Sequence, residues 1–271
     1  MLDACPPCSL PCSAFLFGGG PVPLFAILTL FPEALEAYAC ASILGSARRQ
    51  GALQLELIDL RDFTRDRHRT VDDRPFGGGP GMVLRPEPIA DCVEWLEREY
   101  GTFRRFALCP TGKPFCQAMA AELTTAQRVL LLCGRYEGFD ERVREELMLE
   151  DLSVGDFVLC GGELPALAVT EAVARLLPGV LGNEASSSSE SFSQAPDALL
   201  PGGLDFPHYT RPRHWRGRSV PEVLLSGNHQ EIAAWRLQAA RAKTLARRPD
   251  LMTSSPTVPV SVRDFDPKLA P

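Results

Sequence analysis

The sequence lacks any run of about 18 uninterrupted apolar residues, the length that a membrane-spanning helix needs. It also lacks an excess of positive charge, because 28 Lys and Arg residues stand against 34 Asp and Glu residues and the net charge is -6. These two deficits exclude a membrane-spanning helix and a uniformly basic coat for nucleic acid. With 45% hydrophobic residues among 271, the chain can bury one large core or two modest cores without disulfide bonds.

The cysteine pattern lacks the partners that a zinc site or a full set of disulfides would require. Nine cysteines cannot all pair within one chain. Cys5, Cys8 and Cys12 lie close together, but no second Cys-x-x-Cys pair and no His-x-x-x-His pair accompanies them, which disfavours a four-ligand zinc site. We expect the other six to be reduced, buried, small side chains of a cytoplasmic protein.

Short apolar runs alternate with helical patterns from Leu24 onward. The predicted strands are Leu24–Leu30, Leu53–Asp59, Phe106–Cys109, Val129–Cys133 and Asp156–Cys160. The predicted helices are Pro32–Ser46, Pro86–Tyr100, Pro114–Ala126, Asp140–Glu150 and Glu163–Leu177. This alternation predicts an α/β domain with a mainly parallel sheet over residues 24–182.

The composition suggests further segments on either side of that domain. Residues 1–23 carry no Lys or Arg before their apolar part, so they predict a disordered extension and not a secretory signal. Residues 183–204 are rich in Gly, Ser and Pro, which is typical of a flexible interdomain linker. Residues 205–250 predict a small helical unit with helices at Pro221–Gly227 and Gln230–Arg248, and residues 251–271 predict a frayed tail.

Positive charge is concentrated near the end of the chain. From His208 to Arg248, nine Lys or Arg residues and two acidic residues sum to +7, which leaves -13 for the rest of the chain. Trp215 and Trp235 lie among these cations. Clustered cations with aromatic side chains are typical of nucleic-acid contact, although a solvated helix face has the same composition.

Glycine-rich turns are the densest feature of the first domain. The loop Asp72–Met82 has four glycines, but it matches neither a Walker A loop nor the dinucleotide fingerprint. Three predicted strands end in glycine-containing turns, at Leu108–Pro114, Leu131–Asp140 and Val158–Pro165. Because ligands bind beyond the carboxyl ends of parallel strands, we expect these three turns to form one pocket for a flat ligand.

These loops, in this order, resemble the bacterial tRNA (guanine-N1)-methyltransferase family over about Leu24 to Asp250. The matching segments are Asp62–Thr64, Arg74–Met82, Cys133–Gly138, Ser153–Pro165, Leu177–Ser186, Asp205–Pro212 and Leu224–Arg236. The resemblance implies an S-adenosyl-L-methionine-binding α/β domain of the SPOUT superfamily, with a deep C-terminal trefoil knot and a small all-helical tRNA-binding domain after it. It also implies a homodimer with the active site at the interface, and no membrane association.

The implied reaction moves the methyl group of S-adenosyl-L-methionine to N1 of guanosine at position 37 of tRNA, preceded by guanosine at position 36. N1 must lose a proton to a base, and the resulting charge on O6 needs a cation or donor. The family usually has an aspartate as the base, where this chain has Glu190, and Asp205 is the competing carboxylate. Arg175 aligns with the arginine that would stabilise the developing charge.

The resemblance also assigns binding residues. The cofactor pocket would consist of Leu108, Cys109, Pro110, Gly112, Gly134, Arg135, Tyr136, Glu137, Val154, Gly155, Phe157, Leu159, Gly161, Gly162 and Pro165. The substrate-binding residues would be Asp72, Ser186, His208 and Arg211. Glu137 and Asp72 would face the methionine amine or a Mg²⁺ ion, whose assistance the resemblance also implies. No metal-ligand set is assigned.

Three other functions can be compared with these features of the sequence. A catalytically inactive RNA-binding protein of the same fold would bind tRNA without consuming cofactor, but the glycine turns disfavour it. A phosphate-binding NTPase or kinase using the Gly77–Gly81 loop is disfavoured, because the Walker lysine and hydroxyl are missing. A ribose methyltransferase of the same superfamily is disfavoured by the linker carboxylate, because attack by a ribose 2′-hydroxyl needs different positioning.

Overall fold

Helices and strands alternate through the first two thirds of the chain. The computed structural model describes residues 16–17, 20–182 and 190–253. The chain divides into two units, Met1–Gly182 and Asn183–Pro271, which are described one at a time.

The first unit contains nine strands and six helices within its described residues. The strands are β1 Leu16–Phe17, β2 Gly20–Pro21, β3 Leu24–Thr29, β4 Gln54–Asp59, β5 Asp72–Asp73, β6 Val83–Leu84, β7 Arg104–Pro114, β8 Arg128–Cys133 and β9 Glu150–Ser153. The helices are α1 Pro32–Ala39, α2 Ser42–Arg49, α3 Pro86–Tyr100, α4 Gln117–Leu123, α5 Glu141–Glu146 and α6 Glu163–Ala174, with a 3-10 turn at Leu60–Phe63.

Five of these strands form one parallel sheet in the order β4-β3-β8-β7-β9. Strand β3 is flanked on both sides and pairs in parallel with β4 and β8, for example through Leu24 with Gln54 and with Arg128. The predicted α/β class with a mainly parallel sheet is therefore confirmed. The strand pairs β1-β2 and β5-β6 are short and antiparallel.

Both faces of the sheet are buried, which explains why the inner strands β3 and β8 are nearly continuous apolar runs. Phe25 and Ile27 of β3 pack into one core cluster, while Ala26 and Leu28 pack into a second. Helices α1, α2, α4 and α6 cover the first face, and helices α3 and α5 cover the second. The unit therefore has three layers, with the carboxyl ends of all five strands at one edge.

Helix α3 illustrates how local sequence sets an element. Pro86 occupies the first turn, where its missing N–H costs nothing, and Glu87 favours the positive end of the helix dipole. Gly101 ends the helix with a φ of 90°, a conformation that suits glycine. The predicted bounds Pro86–Tyr100 are confirmed.

The second unit combines helix with a short β pair. Its described elements are β10 His214–Trp215, β11 Arg218–Ser219, a 3-10 turn at Glu222–Leu225, α7 His229–Arg247 and α8 Asp250–Thr253. The expectation of an all-helical unit is therefore too simple. Within the predicted linker, residues 190–204 form a loop closed by hydrogen bonds from Phe192 N to Gly203 O and from Gly202 N to Ser193 O.

Two predicted elements are wrong. The predicted helix Pro32–Ser46 is two helices, because the chain turns so tightly that a Cβ on Gly45 would lie 2.1 Å from the Cys40 carbonyl oxygen. The apolar run Asp156–Cys160 is not a strand, and its Phe157, Val158 and Leu159 are exposed. The fifth strand is instead the more polar β9, which lies at the sheet edge.

The cysteine expectation is only partly confirmed. All six cysteines in the described residues are free, and Cys92 and Cys133 are buried. Cys40, Cys116 and Cys160 are exposed and Cys109 is half-buried, so the expectation of burial is wrong for these four.

Several predictions fall on residues outside the described part of the chain. They concern most of the 1–23 extension with Cys5, Cys8 and Cys12, the first seven residues of the linker, and the tail from residue 254. Among the described residues, no helix is both long enough and apolar enough to cross a membrane.

Candidate active site

Three chain segments meet at the carboxyl ends of β7, β8 and β9, around a cavity of about 380 Å³. The segments are the bulge within β7, the turn after β8 and the stretch after β9. This volume falls within the range of about 300–1,000 Å³ that is usual for small-molecule sites. The cavity lies where ligands bind in open parallel sheets.

The first wall arises from an irregularity in β7. Leu108 and Lys113 both align with Leu152 of β9, so the residues between them bulge out of the sheet. Gly112 packs so closely that an added Cβ would lie 2.3 Å from the Leu152 nitrogen. Glycine at this position therefore lets β7 rejoin β9 after the bulge has placed Cys109 in the cavity wall.

The second wall is the turn after β8. Gly138 N donates to Arg135 O at 2.9 Å, which closes the turn, and Glu137 N donates to Met82 O at 3.0 Å. The Glu137 side chain lies against Gly81, where an added Cβ would be 2.5 Å from Oε1. The glycine-rich loop Asp72–Met82 therefore packs against the turn that follows β8.

The third wall returns from the sheet edge to the end of β8. Gly162 N donates to Gly134 O at 3.1 Å, and Gly161 pairs with Arg135 in an isolated antiparallel bridge. An added Cβ on Gly162 would lie 2.7 Å from the Cys133 Cα, so only glycine lets the two backbones approach this closely.

A buried polar network anchors the start of α6 behind this wall. Glu163 accepts hydrogen bonds from Thr29 Oγ1 at 2.8 Å and from Arg135 Nε at 3.1 Å. The Arg135 guanidinium also lies 4.4 Å from the centroid of the Phe31 ring. The Glu163 side chain is only 8% exposed, so it depends on these partners for the hydrogen bonds that water would otherwise supply.

A paired cation lines the far side of the cavity. Arg144 donates from Nε to Asp151 at 2.9 Å, also contacts Glu141, and lies 4.8 Å from the centroid of the Phe139 ring. Burial lowers the pKa of Arg144, but the hydrogen bond to Asp151 and the negative charges of Asp151 and Glu141 together outweigh burial, so the pKa is raised. The cavity therefore has a guanidinium, paired with two carboxylates, beside its apolar lining.

The second unit holds the competing carboxylates. Asp205 Oδ1 accepts from Phe206 N at 2.7 Å, and Oδ2 lies 2.6 Å from His208 Nε2. Its backbone N–H donates to Ser191 Oγ at 3.0 Å. Both carboxylate oxygens of Asp205 are thus engaged, and Asp205 and Glu190 line the same small cavity within this unit.

Known proteins are similar to this chain in sequence and in fold. A family model described as tRNA (Guanine-1)-methyltransferase TrmD matches residues 24–254. The tRNA (guanine-N(1)-)-methyltransferase of Desulforudis audaxviator is 51% identical over 233 residues, covering 86% of this chain and 90% of its own. The chain belongs to the tRNA (guanine-N1)-methyltransferase family.

A second sequence relative and a solved structure of the same family are also similar to this chain. The tRNA (guanine-N(1)-)-methyltransferase of Pelotomaculum thermopropionicum is 50% identical over 228 residues, covering 83% of this chain and 88% of its own. The crystal structure of tRNA (m1G37) methyltransferase from Aquifex aeolicus matches with a TM-score of 0.67 and 39% identity, covering 85% of this chain and 95% of that one.

The structure brings fourteen of the fifteen predicted cofactor residues of this methyltransferase family together around the cavity. Gly112 is the exception, because it packs in the sheet against β9 and does not line the cavity. Sequence reasoning missed Thr111, Gly138, Phe139, Glu141, Arg144, Leu152, Ser153, Val158 and Cys160. Most of these adjoin predicted residues, but Glu141 and Arg144 reach the cavity from α5, which no local pattern indicated.

The remaining predicted residues are placed as follows. Arg175 is half-buried directly after α6, and Asp72 is half-buried in β5. His208 and Arg211 are exposed in the second unit, while Ser186 lies outside the described residues. Among the described residues, no group of three or more His, Cys, Asp or Glu side chains could hold a metal ion.

Proposed function

We propose that this chain transfers the methyl group of S-adenosyl-L-methionine to N1 of guanosine at position 37 of tRNA, preceded by guanosine at position 36. The observation that carries the proposal is the cavity formed by three glycine-containing segments in a member of this methyltransferase family. The name of the Aquifex aeolicus relative supports position 37 as the target. An inactive RNA-binding protein is not supported, since the relatives are named as methyltransferases.

The cavity fits S-adenosyl-L-methionine in size and in donor groups. Gly134 leaves room for a ligand, because an added Cβ would meet no protein atom closer than 3.8 Å, and Leu159 and Pro165 supply apolar surface. The Glu137 carboxylate in the cavity wall suits the methionine amine. The bound cofactor supplies a methyl group on a sulfonium, which is an electrophile for a ring nitrogen.

Glu190 is the proposed general base for the N1 proton. Its support is the aligned position in the family, and Asp205, whose oxygens contact the Phe206 N–H and His208, is the competing carboxylate. Glu190 has the basicity of the usual aspartate but one more methylene. Arg175 is proposed to stabilise the negative charge that develops on O6 as N1 loses its proton.

Magnesium has no ready protein cage among the described residues, so no step is assigned to it. Mg²⁺ commonly takes one or two carboxylates and completes its shell from substrates and water. Glu137 is the cavity carboxylate that could serve in that way, and Asp72 remains the second candidate.

The fold and assembly of the active enzyme are part of the proposal. We infer a trefoil knot from the membership of the chain in this family, and the return of the chain from β9 at the sheet edge to the end of β8 is compatible with it. Pulling a knotted chain from both ends would leave it shorter than the roughly 3.3–3.6 Å per residue of a fully extended chain. We also infer a homodimer with the active site at its interface, acting in the cytoplasm.

The deciding experiment measures transfer of labelled methyl from S-adenosyl-L-methionine to unmodified tRNA transcripts. One transcript carries guanosine at positions 36 and 37, and its control carries adenosine at 37. Label in the first transcript alone supports the proposal. Label in neither transcript, or equal label in both, contradicts it.

Two variants test the base. Glu190→Gln keeps the shape of the side chain but removes its basicity, so single-turnover methylation should slow by about 10²–10⁴-fold. Asp205→Asn is the matched control and should lose less. Near-native turnover of Glu190→Gln together with a severe loss in Asp205→Asn would make Asp205 the base.

The shared active site has its own test. A Glu190→Gln protomer and a Gly134→Val protomer, each inactive alone, should regain partial activity when they are mixed. No recovery from a mixed dimer would argue that each site lies within one protomer.

A further inference from the structure

The hairpin formed by β10 and β11 is an exposed, positively charged ribbon that the proposed chemistry does not use. His214 pairs with Ser219 and Trp215 pairs with Arg218. The ladder extends through a hydrogen bond from Val220 N to Arg213 O at 3.0 Å. Residues 211–219 are all exposed, so the ribbon's side chains are not needed for a core.

The turn of the hairpin is sharply defined. Arg216 has a φ of 47° and Gly217 a φ of 76°, as in the two-residue turns with two left-handed residues that suit twisted hairpins. Such a turn favours Asn or Asp at its first position, and an arginine there carries a conformational cost. The chain therefore holds a cation at the hairpin tip against local preference.

The hairpin's two faces differ in chemistry. On one face, His214 Nδ1 lies 2.8 Å from Ser219 Oγ, which ties the strands together. Trp215 and Arg218 are directly opposite each other and share the other face, because directly paired residues point the same way. The Arg216 guanidinium lies 4.9 Å from the centroid of the Trp215 ring.

This arrangement leaves one aromatic ring and two cations available. Trp215 is 59% exposed even with Arg216 over its ring. Within the described part of the chain, Arg213 Nη2 donates to both carboxylate oxygens of Glu222, whereas Arg216 and Arg218 form no salt bridge. No Asp or Glu occurs from Phe206 to Pro221, so the local field is purely positive.

Trp235 does not offer the same surface. It is half-buried on α7 and packs against Tyr209 with ring centroids 6.2 Å apart. Of the two tryptophans in the basic segment, Trp215 is therefore the one with an open ring face.

We propose that the β10-β11 hairpin is a tRNA-contacting element, in which Trp215 stacks on an unpaired base and Arg216 and Arg218 contact backbone phosphates. This inference rests on the proposed function for the identity of the RNA. Stacking a base on the open face of Trp215 would place the indole between that base and the Arg216 guanidinium, and both contacts are favourable. Phosphate is the complementary charge for two exposed guanidinium groups that have no acidic partner in the hairpin.

The test measures equilibrium binding of an unmodified tRNA transcript across a series of KCl concentrations, without cofactor. The double variant Arg216→Ala/Arg218→Ala should bind more weakly. The slope of log affinity against log salt should fall by about 0.7–0.9 for each phosphate that the protein no longer neutralises. Arg216→Lys/Arg218→Lys keeps both charges and should retain most of that slope. Arg98→Ala, which removes an exposed cation from α3, is the control and should match the wild type.

Trp215 is tested separately. Trp215→Ala should weaken tRNA binding by about 5- to 100-fold with an unchanged salt slope, whereas Trp215→Phe should recover most of the affinity. All variants should keep the wild-type unfolding temperature and kcat at saturating tRNA, because the hairpin takes no part in the chemistry.

The proposal is overturned if the arginine double variant keeps wild-type affinity and salt slope, or if kcat falls while affinity is unchanged. An inactive wild-type protein that still binds tRNA through the hairpin would contradict the proposed function and leave this inference standing.

Discussion

Two glycines of the cavity wall should respond oppositely to the addition of one methyl group. At Gly162 an added Cβ would lie 2.7 Å from the Cys133 Cα, and at Gly134 it would meet no protein atom closer than 3.8 Å. Both glycines line the cavity, and neither has the positive φ that would strain an alanine. The two substitutions therefore separate the packing role of a glycine from its role in leaving room for a ligand.

The expected magnitudes follow from these distances. Gly162→Ala overpacks two backbones that cannot yield like a flexible side chain, so it should cost about 1–3 kcal/mol of stability. Gly134→Ala should stabilise the fold by about 0.4–1 kcal/mol, because alanine has less freedom to lose from the unfolded chain. The same methyl group takes space from a bound S-adenosyl-L-methionine, and a comparable overpacking cost would weaken binding by about 5- to 150-fold.

Thermal unfolding and calorimetric titration with S-adenosyl-L-methionine together test this reasoning. Gly134→Ala should unfold at or above the wild-type temperature and bind the cofactor poorly. Gly162→Ala should unfold at a lower temperature, by roughly 2–4 °C for each kcal/mol of destabilisation. A Gly134→Ala protein with wild-type cofactor affinity would refute the assignment of the cavity.

The remaining predictions concern charge and exposure. Arg135→Ala leaves the buried Glu163 carboxylate without its cation, so the free energy of unfolding measured by chemical denaturation should fall by about 3–5 kcal/mol. If Arg135→Lys restores that stability, a positive charge alone is sufficient at this position. Burial raises the pKa of the Cys133 thiol, so iodoacetamide at pH 8 should label the exposed Cys160 before Cys133, as measured by peptide mapping. Equal labelling of the two cysteines in the folded protein would contradict the burial of Cys133. Asp140→Asn should cost up to about 1 kcal/mol at neutral pH, because asparagine can still cap α5 but loses the negative charge that faces Arg142 and the helix N-terminus. The hydrogen bond from Arg142 lowers the Asp140 pKa, so this difference should shrink as pH falls through and below the ordinary aspartate range.

Local sequence predicted elements best where both their ends carry signals. Helix α3 has proline at its start and glycine at its end, and its predicted bounds match. The run Asp156–Cys160 had strand composition but no such limits, and it lies exposed along the cavity. Strand β9 was missed because an edge strand can carry acidic residues such as Glu150, which weaken the apolar signal.

The pocket could be predicted because it is formed by backbone turns whose glycines can be recognised in the sequence. Glycine turns after parallel strands indicate a ligand site whatever the surrounding side chains, and fourteen of the predicted residues line one cavity. The contribution of α5 could not be predicted, because Arg144 reaches the cavity only through the packing of that helix beside β9. Gly112 lies outside the cavity lining, because the register of β7 shifts between Leu108 and Lys113 and Gly112 packs against β9.

The choice between two carboxylates shows what structure adds to a motif. In sequence, Glu190 and Asp205 are equivalent acids in a polar segment, and only the resemblance favoured one of them. In the second unit, the Asp205 oxygens contact the Phe206 N–H and His208, and the tilted His208 and Phe206 rings have centroids 4.6 Å apart. A carboxylate oxygen can accept two hydrogen bonds, so these contacts orient Asp205 and His208 without blocking proton transfer. The contacts suit Asp205 to positioning His208, and the aligned position in the family favours Glu190 as the base, which the Glu190→Gln and Asp205→Asn variants test.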